Sequence, residues 1–84
     1  MRPYAVFINE QALAAAPRSG RHRELVMNFI RSLANHPDAA GDFAEKDHAS
    51  RVVQVKIIGR YAVTFWADHA VSEIKVTHIK SADK

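Results

Sequence analysis

The spacing of apolar residues changes part way along the chain. Up to about residue 36 they recur mostly at helical intervals, and from Gly41 onward they alternate as strands do. Tyr4-Ala5-Val6-Phe7-Ile8 predicts a short first strand, with Val6 and Ile8 on one face and Ala5 and Phe7 on the other. Asn9 is placed to cap a helix running from Glu10 through Ala16, and Pro17 ends it. Ser19-Gly20 turns the chain into a second helix, about Arg21 to Ala34. Leu25, Val26, Phe29, Ile30 and Leu33 form its apolar stripe, while Arg21, Arg23, Asn28 and Arg31 lie largely away from it. Asn35 and Pro37 mark its end.

The back half predicts strands at Asp42–Lys46, Val52–Ile58, Tyr61–Ala67 and Ser72–Ile79, separated by short polar turns. The class is α+β, with a short N-terminal strand, two helices, and then a three- to four-stranded antiparallel meander with the helices on one face. Register decides which side chains meet water. An extra residue at Ile58-Gly59-Arg60 would put Val53, Val55 and Ile57 on the same face as Tyr61, Val63 and Phe65, and burial favours that register. Ile74 and Val76 join the same face. The opposite face then reads Gln54, Lys56, Ala62, Thr64, Trp66, Glu73, Lys75 and Thr77. Lysines beside an indole suit a phosphate backbone with a base stacked on the ring; a solvated sheet face is the plainer alternative.

A length of 84 residues suits one domain, 1–84, and 48% hydrophobic with 25% charged residues is ordinary globular composition. No apolar run approaches the roughly 18–20 residues of a membrane span, so no membrane partner is expected. The apolar residues before Asn9 are too few for a signal-peptide core. The absence of cysteine removes disulfide, zinc-thiolate and cysteine-nucleophile chemistry, and a cytoplasmic location is the default expectation. The net charge of +3 sits in the front of the chain, where residues 1–36 hold five Arg against two Glu. Arg18, Arg21, Arg23 and Arg31 form a basic cluster suited to nucleic acid or to an acidic, partly disordered protein that folds on contact.

Five histidines, at 22, 36, 48, 69 and 78, show no metal-ligand spacing within a helix, so no metal is expected. Asp47-His48 and Asp68-His69 fit turn composition. His78, near the end of the last strand, is the best candidate for proton transfer, since imidazole exchanges protons near neutrality. Neither a phosphate-binding glycine loop nor a serine-hydrolase signature is present, and no cofactor is called for.

The element order, the length, and the segments Gly41–Asp47 and Val53–Asp68 together resemble the RelE/ParE superfamily of bacterial toxins. Leu33-Ala34-Asn35-His36-Pro37 is similar to that family's Leu-x-x-x-Pro stretch, and Gly59-Arg60-Tyr61-Ala62-Val63 to its Gly-x-Tyr-Arg-Val turn. The resemblance implies a toxin of a type II toxin–antitoxin module, held in check by a cognate antitoxin. In the RelE-like branch the open sheet face binds messenger RNA on the ribosome and cleaves it; in the ParE-like branch the toxin inhibits DNA gyrase without nuclease chemistry. On the RelE-like pattern, Lys56 takes the place of the first strand's cation, and His78 with Lys80 stands in for the C-terminal His-Arg pair. The second strand's usual Arg is Ala62, which leaves open a non-nucleolytic or degenerate toxin. The residues expected to meet nucleic acid are then Lys56, Arg60, Thr64, Trp66 and Lys75, and those expected to meet antitoxin are Arg18, Arg21, Arg23 and Arg31. An unrelated RNA- or DNA-binding domain is the remaining alternative.

Overall fold

The computed structural model of the protein describes residues 2–82. Strand β1 (Ala5–Ile8) leads into α1 (Glu10–Ala15), whose N-cap Asn9 accepts from the amides of Gln11 and Ala12. Helix α2 (Gly20–Ser32) follows and tightens into a short 3-10 turn at Leu33–Asn35. Four strands complete the chain: β2 (Phe43–Lys46), β3 (Val52–Ile58), β4 (Tyr61–Asp68) and β5 (Glu73–Ser81). They form one sheet in the order β1-β5-β4-β3-β2. β2 to β5 make the antiparallel meander, and β1 adds to β5 in parallel, with both helices in the crossover. Among the described residues no helix is long and apolar enough to cross a membrane.

The core lies between the helices and one sheet face. Val26, Ile30 and Leu33 of the α2 region pack with Val63, Phe65, Ile74, Val76 and Ile79 of the sheet, joined by Ala12 and Ala16 from the α1 region. Val6 and Ile8 close its β1 side while Ala5 and Phe7 face away, as the alternation predicts. Phe29 meets Phe65 edge to face with ring centres 5.6 Å apart. Leu25, the first residue of the predicted stripe, is 38% exposed.

The β3–β4 register departs from the expectation. Gly59-Arg60 is a strict two-residue hairpin loop: Ile58 pairs with Tyr61, and Gly59 takes φ +60, which glycine adopts at no steric cost. Lys56 consequently pairs with Val63 and Gln54 with Phe65, so both belong to the helix-side face and not to the open one. Val53, Val55 and Ile57 belong to the open face. The expected burial on a single face fails because both faces are apolar at this point: Val53, Val55 and Ala62 are buried on the side away from the helices.

The extra residue falls in β5 instead. Phe65 pairs with Val76 and Thr64 with His78, leaving Thr77 as a β-bulge. Strict alternation from Ile74 and Val76 would turn His78 and Lys80 toward the helices. The bulge reverses that phase, sending Ile79 into the core and leaving His78 and Lys80 on the open face.

Candidate functional site

The open face carries a cleft of about 430 Å³ between β5 and the turn that joins β2 to β3. Val53 and the buried Thr64 line its base, and His78, Lys80 and Thr77 line the β5 side. Glu45, His48 and Arg51 come from β2 and the turn. Backbone geometry holds that turn in place: Ser50 adopts φ +61, its amide donates to the Asp47 carbonyl, and the Asp47 amide donates to the Arg51 carbonyl. The Asp47 carboxylate accepts from the backbone N–H groups of Ala49 (2.9 Å) and Arg51 (3.0 Å), and pairs with Arg51 Nε at 2.9 Å. The Arg51 backbone N–H, aided by the guanidinium and the Ala49 N–H, holds the Asp47 carboxyl below its ordinary range against the opposing effect of burial.

Two imidazoles, two ammonium groups (Lys46 and Lys80) and a guanidinium line the cleft with the carboxylates of Glu45 and Asp47. His78 Nδ1 lies 3.0 Å from Thr77 Oγ1, which ties the ring to the bulge residue. Lys80 stands directly across from Ala62 in the β4–β5 ladder. Such a set can oppose charge on a phosphate and exchange protons with a hydroxyl.

The residues singled out from sequence divide unevenly. His78, Lys80 and Thr64 meet in the cleft. Lys56 is outside it: on the helix-side face, its ammonium pairs with Asp42 at 3.5 Å. The Asp42 carboxylate also accepts from the Ile57 backbone N–H at 2.7 Å, and this bond first, then the lysine, lowers its pKa although partial burial pulls the other way. Arg60 sits in the β3–β4 turn, where its carbonyl accepts from the Ala82 amide at 2.7 Å. Trp66 is on the open face as expected, flanked by two cations. The Arg51 guanidinium lies over the ring at 4.0 Å and the Lys75 ammonium is 5.3 Å from its centre. Lys75 is also paired with Asp68 and Glu73, both at 3.5 Å.

Glu45, His48 and Arg51 were not expected at this site. Turn composition accounts for Asp47-His48-Ala49-Ser50 without any function, and only the fold shows that the turn faces β5. The one available signal is the alternation of β2, which places Phe43 and Glu45 on the face of Val55 and Val53.

On the helix side, Arg21, Arg23 and Arg31 share a shallow groove of about 470 Å³ with Glu24 and Met27 along α2. Arg23 donates to the Pro17 carbonyl at 3.0 Å and Arg31 to Asn28 Oδ1 at 2.6 Å. Arg18 precedes the helix and does not line this groove.

The five-stranded sheet, with its parallel first strand and its two helices on one face, is a RelE-like fold. The chain superposes on a chain of the archaeal RelE–RelB complex from Pyrococcus horikoshii with TM-score 0.76, at 17% identity over 98% of each chain. It superposes on a chain of the toxin–antitoxin complex RelBE2 from Mycobacterium tuberculosis with TM-score 0.74, at 16% identity over 94% of this chain and 98% of that one. No family model and no curated protein matches the sequence. The likeness is thus one of fold, carried by topology with few shared side chains.

Proposed function

We propose that this chain is the toxin of a type II toxin–antitoxin module and that it cleaves messenger RNA held on the ribosome. The observation that carries the reading is the bulge at Thr77, which sets His78 and Lys80 on the open face beside Thr64. Neutral His78 accepts the proton of a ribose 2′-hydroxyl as the 2′-oxygen bonds to phosphorus. The 5′-oxygen leaves, taking a proton from water or a protonated cleft group, and a 2′,3′-cyclic phosphate remains. Lys80 opposes the charge that grows on the nonbridging oxygens. Because Lys80 faces Ala62 across the ladder, it supplies from β5 the cation that the family resemblance expects from β4. Both structural neighbours are toxin–antitoxin complexes, which supports an antitoxin partner here; the basic groove of α2 suits an acidic segment of it.

Ala62 itself favours a second reading, a ParE-like or degenerate toxin that binds gyrase without cutting RNA. Induction of the chain alone, with pulse-labelling of protein and DNA synthesis, separates the two. The ribonuclease reading expects arrest with protein synthesis failing first. His78→Ala or Lys80→Ala should relieve it through a loss on the order of 10²–10³ in cleavage rate, while Lys56→Ala stays toxic. Failure of DNA synthesis first, or full toxicity in both cleft variants, overturns it.

A further inference from the structure

We propose that Arg51 and Trp66 form a nucleobase subsite at the edge of the cleft, in which a base of single-stranded RNA stacks on the Arg51 guanidinium from the side away from the indole. The inference rests on the RNA reading above and adds the group that recognises a base rather than a phosphate. Arg51 lines the cleft, so its guanidinium adjoins the place where the backbone would run. Two partners orient it. The guanidinium carbon lies over the indole, 4.0 Å from its centre, and Asp47, itself anchored by two backbone N–H groups, holds Nε at 2.9 Å. At 4.0 Å no base fits between guanidinium and indole. The side chain is nevertheless 41% exposed, which leaves room for a ligand on the side away from the indole. A planar cation already fixed by packing loses little freedom when a base settles on it. Lys75, from the β5 side, adds positive charge near the indole that Asp68 and Glu73 largely balance. Stacking on a guanidinium is tolerant of base identity, because every base presents a π-face.

Trp66 is the sole tryptophan, so its emission reports on this subsite. The test titrates the whole chain at low salt with a 2′-O-methyl RNA hexamer, which resists cleavage, and with an abasic hexamer carrying the same phosphates. Binding roughly tenfold tighter for the base-bearing hexamer, accompanied by a change in tryptophan emission, supports the subsite. Arg51→Lys keeps the charge but not the plane, and should lower affinity to the abasic level with unchanged circular dichroism. Equal binding of the two hexamers with unchanged emission overturns the subsite and leaves the RNA reading standing. Tighter binding by Arg51→Ala would mean that the guanidinium plugs the indole, and also overturns it. Absence of binding by either hexamer also overturns the subsite, while the RNA reading, which concerns message held on the ribosome, is decided by the induction test.

Discussion

Two aspartates that flank β2 accept from backbone amides, and both are depressed in pKa mainly by a backbone N–H rather than by a side-chain cation: the Ile57 amide for Asp42 and the Arg51 amide for Asp47. A carboxyl lowered in the folded state contributes stability that is fully present above its unfolded value, near 3.8, and is lost as pH falls through the folded value. Urea unfolding followed from pH 7 down to about pH 2 should therefore show stability falling below about pH 4–5. The Asp42→Asn, Asp47→Asn double variant should be less stable at neutrality and show a flatter acid limb. An unchanged limb would mean that other carboxylates carry the effect. Gly41 sits in the same neighbourhood for a steric reason: a Cβ there would run into the Val55 carbonyl. Neither backbone can withdraw freely, since the Asp42 amide donates to that carbonyl at 2.8 Å and the Gly41 amide to Gln54 Oε1 at 2.9 Å. Gly41→Ala should cost on the order of 1–3 kcal/mol in chemical denaturation.

Among the elements, α2 shows what an apolar stripe does and does not determine. Ile30 is 1% exposed in the core and Leu25 is 38% exposed, although both fit the same helical period. Ile30→Ala should cost roughly 2–5 kcal/mol, and Leu25→Ala less than about 1 kcal/mol; equal costs would contradict this placement of the helix. Element positions were legible because turn and cap residues punctuate the chain: Asn9 caps α1, Pro17 lies just past it, and β3 spans the predicted Val52–Ile58. Facing was less legible. Val53-Val55-Ile57 alternates plainly, but alternation does not say which face holds the core when both faces bury valine or alanine. The same ambiguity concealed the bulge at Thr77, because Val76-Thr77-His78-Ile79 reads equally well in either phase. The parallel pairing of β1 with β5 joins strands separated in the chain by both helices and the other three strands, a long-range contact that local pattern does not encode. The cleft brings His78 and Lys80 together, whereas Lys56 lies on the other face by one step of register, and the cleft residues Glu45, His48 and Arg51 were not singled out. The misplacement follows from a local turn, and the misses from a contact across the sheet.

On the scale of the whole molecule, the two charged surfaces lie on opposite sides of the sheet. The cleft opens away from the helices, while Arg21, Arg23 and Arg31 line a groove on α2. A partner seated on α2 therefore need not touch His78 or Lys80, and a long acidic chain would have to wrap the sheet edge to reach both. This separation makes the two proposed functions dissectible. Charge reversal at Arg21 and Arg31 adds four units of negative charge to the groove and none to the cleft. If an acidic antitoxin segment docks there, its association rate should fall on the order of tenfold at low salt, and the salt dependence of that rate should weaken. If the cleft carries the proposed toxicity, growth arrest by the chain alone should persist, because the cleft is untouched. Stopped-flow association with the antitoxin that restores growth measures the first effect, and induction of the variant measures the second. An unchanged rate with arrest intact would make the arginines a solvated helix face. Loss of arrest in a folded variant would instead tie α2 to the target, on the same side of the function as the cleft.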